Sequence, residues 1–185
     1  MKLNVGSGTS KIEGTVSIDC EESCKPDLLL NFCAAPLPYE EGSVEEIYFF
    51  HTVEHIQKRF HGWIFQEFAR VLQVGGQVFI SYPNFEICAK LFVDNFQGRR
   101  EFWEKTLYGR QLYPSDYHVC AMIPQELHLL LGTLGFEDCQ SIAEPGSQFF
   151  NTITRATKGT GKPIVGYEGE VGKAFKEDTY QLVTT

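Results

Sequence analysis

Lys2-Leu3-Asn4-Val5-Gly6-Ser7-Gly8 constrains this chain more than any other stretch. A short apolar run leads into two glycines one residue apart. A second run, Val16-Ser17-Ile18-Asp19, follows and ends on a carboxylate. Gly6 and Gly8 let the backbone turn tightly and approach a ligand closely. A strand, a glycine turn and a second strand closing on an acid suit a nucleoside-type ligand held at the ends of parallel strands. Asp19 at that place can accept hydrogen bonds from both ribose hydroxyls. The plainer alternatives are a simple tight turn and a surface acid.

The turn is not a dinucleotide fingerprint. That pattern needs a third glycine where the following helix starts against a pyrophosphate, and here the third position is Lys11. Only seven residues, 9–15, separate Gly8 from the second strand. A crossover with its helix needs at least about 10–12 residues. The first crossover is therefore shortened and carries no helix.

Residues 27–32 and 44–50 read as third and fourth strands, with near-continuous apolar runs suited to burial on both faces. Ile64, Phe68, Val71 and Leu72 recur at helical spacing, which predicts a helix from about residue 57 to Gly75-Gly76. Residues 77–82 form a fifth strand and 85–96 a helix. Residues 97–123 are aromatic, locally basic and without a clear period. Segment 85–123 is expected to cover an active site. Pro124 suits a first helical position, ahead of Leu127, Leu130, Leu131 and Leu134. Residues 136–142 and 149–156 then make two strands, antiparallel because the connection is too short for a crossover. The domain is expected to span residues 1–156. Residues 157–185, rich in Gly, Thr and Lys, are expected to form a tail packed on the domain or on a second copy in a homodimer.

At 185 residues the chain suits one α/β domain. A net charge of -8 argues against general nucleic-acid binding, which runs on phosphate neutralisation. No apolar run is long enough to span a bilayer. Without a signal-like segment, and with six scattered cysteines read as free thiols, a cytoplasmic location is expected. Arg99, Arg100, Lys105 and Arg110 are the most basic part, either a solvated face or an anchor for a substrate carboxylate or phosphate.

Several segments carry a resemblance when taken in order. They are Leu3-Asn4-Val5-Gly6-Ser7-Gly8, Pro36-Leu37-Pro38-Tyr39 with Gly42-Ser43-Val44-Glu45-Glu46-Ile47-Tyr48, His51-Thr52-Val53-Glu54-His55-Ile56, and Arg70-Val71-Leu72-Gln73-Val74-Gly75-Gly76-Gln77. Residues 79–84, Tyr117-His118 and 124–136 add further matches. Together they resemble the class I S-adenosylmethionine-dependent methyltransferases, in particular the small branch called methyltransferase type 11. The resemblance implies a Rossmann-like methyltransferase fold, with a mostly parallel seven-stranded sheet and an antiparallel final strand.

It also implies that S-adenosylmethionine is bound by Asn4, Gly6, Ser7, Gly8, Asp19, Cys20, Asn31, Phe32 and His51. Asp19 would take the ribose, Cys20 would flank the adenine, Asn31 and Phe32 would meet its edge, and His51 would border the sulfonium. Asn4 stands where many members carry an acid. The methyl group would pass to an O, N or S nucleophile of a small-molecule or sugar-like acceptor. His51 and His118 are the candidate bases, since imidazole titrates near neutrality. With the first crossover trimmed, one pocket wall must come from elsewhere, for which residues 107–120 are the candidate. The alternatives are a non-catalytic adenosylmethionine binder and a nicotinamide-dependent reductase, the latter disfavoured by Lys11.

His51-x-x-Glu54-His55 also fits an inverted zinc-protease pattern, which needs a single helix face. The first histidine falls at a strand end and no third ligand is evident, so no metal is expected. Residues 156–163 imitate a phosphate loop, but Pro163 stands where a magnesium-binding hydroxyl is needed.

Overall fold

Alternating strands and helices resolve into one seven-stranded sheet, in the order β3-β2-β1-β4-β5-β7-β6. The computed structural model describes residues 1–95, 99–112 and 114–164. β1 (Lys2–Val5), β2 (Val16–Asp19), β3 (Leu28–Leu29), β4 (Val44–Phe50) and β5 (Leu72–Pro83) are parallel. β7 (Asn151–Lys158) is inserted antiparallel between β5 and β6 (Phe136–Ala143). The mostly parallel sheet with its antiparallel last strand is the expected one.

β1 and β2 pair directly, Leu3 against Val16 and Val5 against Ile18, and the loop joining them contains no helix. The shortened first crossover is therefore real. β3 is much shorter than expected: two residues pair, with Ile18 opposite Leu28. From Leu30 onward the chain leaves the sheet in turns, with Ala34 N and Ala35 N both donating to Asn31 O.

α1 (Lys58–Val71) buries Ile64, Phe65, Phe68 and Val71 in the main core. Phe49 of β4 meets Phe65 and Phe68 edge-on, with ring centroids 6.1 and 5.1 Å away. Such pairs add about 0.5–1.5 kcal/mol beyond the area they bury. The helix stops at Val71, four residues earlier than the glycine pair suggested. Leu72 is already extended and pairs with Val44, whereas Glu46 pairs with Gln77. The glycines lie in the irregularity between those pairs, where Gly75 has φ +81°.

The Arg70 side chain ties this helix to the loop before β4. Its guanidinium grips both Glu67 oxygens at 2.9 and 2.8 Å and donates to the carbonyls of Tyr39 and Leu37 at 2.8 and 2.9 Å. Glu67 in turn accepts Leu37 N at 3.1 Å.

α2 (Phe85–Asn95) agrees with expectation, but residues 97–123 are more regular than their composition implied. They contain α3 (Arg100–Tyr108), which joins α2 in a second apolar cluster around Cys88, Trp103 and Phe150. α4 (Pro124–Thr133) starts on its proline and buries Leu127 and Leu131. After β7, Gly159 N donates to Gly135 O and Ile164 N to Thr133 O. The rest of the expected tail, 165–185, lies outside the described residues. Among the described residues no helix is long and apolar enough to cross a membrane.

Candidate functional site

The strand order reverses between β1 and β4, and open α/β sheets bind ligands at such a point, beyond the carboxyl ends of the strands. A cavity of about 700 Å³ opens there. Its floor is the turn after β1. Gly6 N and Ser7 N both donate to Ile18 O, at 2.8 and 3.1 Å. Gly8 N donates to Asp19 Oδ2 at 2.7 Å, and Glu21 N donates to Oδ1 at 2.9 Å. Two backbone N–H groups therefore fix the carboxylate against the turn.

Gly6 is required by close approach as well as by its φ of +65°. A Cβ there would lie 2.2 Å from Thr52 Cγ2. Thr52 Oγ1 donates to Gly6 O and Phe50 O at 3.0 and 2.9 Å, which pins the exit of β4 against the turn after β1. Nothing in the local pattern marked Thr52, because its partner is 46 positions away.

Gly6, Ser7, Gly8, Asp19, Cys20, Asn31, Phe32, His51 and His118 all line the cavity. Asn4 does not. It is buried within β1, and its amide donates to Ser10 O at 3.0 Å, so it shapes the loop rather than facing the opening.

His51 directly follows β4 and sits in the left-handed region, with φ +48°. For a residue with a Cβ this conformation costs roughly 1–3 kcal/mol and must be held by its surroundings. His51 N donates to Ser81 O at 2.9 Å. Its ring lies between two carboxylates, Nε2 3.1 Å from Glu144 and Nδ1 3.4 Å from Glu54. Burial acts to lower its pKa, but Glu54 and Glu144 outweigh burial and hold the imidazole above its usual 6.5.

The facing wall comes from Phe102, Lys105 and Thr106 of α3 and from Arg110, Asp116 and His118 beyond it. The borrowed wall thus includes α3 as well as the expected 107–120 stretch. Its cations are largely matched: Lys105 pairs with Glu101 at 2.7 Å and Arg110 with Asp116 at 3.3 Å. Gly109 allows the wall to fold back, since a Cβ there would lie 2.0 Å from Asp116 O. His118 N then reaches Tyr108 O at 3.1 Å. Burial pushes the His118 imidazole below its usual 6.5. Glu54 and His55 also line the cavity beside His118, and their local pattern marks them for neither cofactor binding nor catalysis.

No protein-family model and no curated protein sequence matches the chain. Solved structures do. An S-adenosylmethionine-dependent methyltransferase from Methanosarcina mazei superposes with TM-score 0.60 at 14% identity, over 85% of this chain and 92% of that one. Another from Archaeoglobus fulgidus gives TM-score 0.60 at 14% identity, over 85% of each chain. A Thermotoga maritima protein described as a "possible histamine N-methyltransferase" gives 0.57 at 16%, over 85% of this chain and 81% of that one. The chain has the Rossmann-like fold of class I adenosylmethionine-dependent methyltransferases. These likenesses do not single out the type 11 branch.

Proposed function

We propose that the cavity binds S-adenosylmethionine and that the protein transfers its methyl group to an O, N or S nucleophile of a small-molecule or sugar-like acceptor. One observation carries this reading. The glycine turn, Asp19 and the end of β4 meet around one cavity at the point where the strand order reverses. The residues suit the cofactor: Gly6, Ser7 and Gly8 line the cavity with backbone, and Asp19 lines it beside them as a largely buried carboxylate of the kind that can accept from ribose hydroxyls. When bound, adenosylmethionine supplies a methyl group already activated on a sulfonium.

The chain's own contribution is alignment, which can supply much of the acceleration in a reaction of this kind. Asp19 would hold the ribose, Cys20 would flank the adenine, and Asn31 and Phe32 would meet its edge. The Gly6–Gly8 backbone would approach the methionine part. His51 would border the sulfonium with Glu54 and Glu144 on its two ring nitrogens, so it would serve more to organise charge than to accept a proton. His118 lines the cavity, and burial holds its imidazole below the usual 6.5, which favours the neutral ring and makes it the better candidate to take the acceptor's proton.

The membership in the type 11 branch, the cytoplasmic location and the small-molecule acceptor belong to the same proposal. The described small-molecule role of the Thermotoga protein supports the last of these.

The test is incubation of the full chain with methyl-labelled adenosylmethionine and a panel of hydroxyl, amine and thiol acceptors. Label transfer with release of adenosylhomocysteine is the expected result. Binding without transfer to any class would favour a non-catalytic binder.

A further inference from the structure

In the cavity lining next to His51 lies a second cluster with its own chemistry. Glu54, His55 and His118 each turn one ligand-type atom inward, and these atoms lie within 4.8 Å of one another. Glu54 and His55 belong to the short 3-10 turn after β4, whereas His118 arrives from the facing wall. His118 joins Glu54 and His55 from 63 positions after His55, through folding alone, and His51 of the His-x-x-Glu-His segment stays outside the cluster.

Two features distinguish this cluster from a chance meeting of polar groups. Glu54 is 3% exposed, and its Oε2 is buried without a hydrogen-bond partner among the described residues. A buried carboxylate oxygen left unpaired is costly, and such a group calls for a cation or a donor. The His55 imidazole is also oriented from behind. His55 Nδ1 donates to Tyr117 O at 3.0 Å, which leaves Nε2 as the lone-pair nitrogen. The His118 ring meets the His55 ring edge-on, with centroids 4.7 Å apart. Backbone carbonyls behind the ring commonly fix the tautomer of metal-binding histidines.

We infer that Glu54, His55 and His118 form a binding site for a divalent first-row transition cation in the cavity wall. Two imidazoles with one carboxylate suit Zn2+, Mn2+, Fe2+ or Co2+ better than the all-oxygen shells of Mg2+ and Ca2+. Bonds of about 2.0–2.2 Å would bring the donor atoms somewhat closer together than they are here. Three protein donors leave open positions toward the cavity, where an oxygen or nitrogen of a second small molecule would bind. With a cation in place the His118 lone pair is committed to it, so His118 acts as a ligand in the loaded protein and as a proton acceptor only without the metal. The inference rests on these three side chains and not on the identity of the nucleoside.

The experiment is titration of the chelator-treated, tag-free full chain with Co2+, followed by absorption spectroscopy and calorimetry without adenosylmethionine. One equivalent should bind with visible d–d bands and no thiolate-to-cobalt charge-transfer band. Mg2+ at the same concentration should give no heat. Glu54→Gln and His118→Asn should each weaken binding at least tenfold, while His128→Gln, which alters a histidine bonded to Ser141 on another part of the fold, should leave it unchanged. Mn2+ added to the wild-type chain should broaden the His55 and His118 imidazole NMR signals before that of His128, a reading that needs no variant to fold. Absence of Co2+ binding, a charge-transfer band, or equal broadening of all three histidines would overturn the site. Because the titration omits the nucleoside, its failure leaves cofactor binding untouched, and failure of cofactor binding leaves the cation site standing.

Discussion

Asp19 Oδ2 accepts the Gly8 N–H at 2.7 Å, so the acid that ends β2 also fixes the turn that ends β1. The two features read separately in the sequence are one device. Replacing Asp19 by Asn keeps the shape but turns an NH2 toward either Gly8 N or Glu21 N, which leaves one backbone donor unmatched. Loss of a charge-assisted hydrogen bond costs about 1.5–3 kcal/mol. Asp19→Asn should therefore weaken adenosylhomocysteine binding by about 10- to 100-fold. Calorimetry on wild type and variant measures this directly.

The two glycines of the turn should differ in tolerance. A Cβ at Gly8, φ +50°, meets nothing within 4 Å, whereas one at Gly6 strikes Thr52 at 2.2 Å. Gly8→Ala should cost about 1–2 kcal/mol, the ordinary penalty of the left-handed region. Gly6→Ala should cost more, and should also weaken ligand binding, because Thr52 must move. Chemical denaturation of the two variants side by side gives the ranking; equal costs would remove the close-approach argument.

Arg70 holds two carbonyls and a carboxylate in one planar fork, an arrangement that a lysine cannot copy. Its side chain is 33% exposed, so solvent screens part of the gain. Arg70→Lys should cost about 1–2 kcal/mol and lower the melting temperature by roughly 3–6 °C. Thermal unfolding followed by circular dichroism checks it.

Acid should destabilise the fold through His61. Burial holds its imidazole below the usual 6.5, although Ile56 O and Val53 O accept from its Nε2 at 3.0 and 3.2 Å. The unfolded chain takes up a proton near 6.5 that the folded chain refuses. This contribution is therefore intact above that pH and is lost as the pH falls through 6.5 toward the depressed folded value. His118 acts in the same direction and His51 in the opposite one. The slope of unfolding free energy between pH 5 and 7 in wild type, less that in His61→Asn, isolates His61. The difference should be positive and at most about 1.4 kcal/mol per pH unit.

The sheet was legible because its strands are short apolar runs closed by turn residues, and because a three-glycine fingerprint and a first crossover helix were both visibly missing. The cavity lining was legible for a related reason: strand ends converge in parallel sheets, so the residues just after β1, β2, β3 and β4 had to meet. The failures share one cause, in that tertiary contacts override local pattern. Leu72 extends early because Val44 pairs with it, so Gly75-Gly76 marks an irregularity inside β5 rather than the end of α1. α3 forms from an aromatic, basic stretch because Phe102 and Trp103 pack on Phe150. Asn4 faces Ser10 rather than the cavity, which its position on β1 alone did not reveal. The Glu54 and His118 encounter joins two loops distant in sequence, and no local spacing encodes it.

The central claim is that the turn at Gly6–Gly8 and Asp19 receives an adenosylmethionine-type nucleoside and not a dinucleotide. Isothermal titration of the full chain with adenosylhomocysteine and, separately, with NAD tests it most directly. The account predicts one-to-one binding of adenosylhomocysteine that Asp19→Asn weakens, and no heat with NAD. Binding of NAD, or no binding of adenosylhomocysteine to the folded wild-type chain, would contradict it.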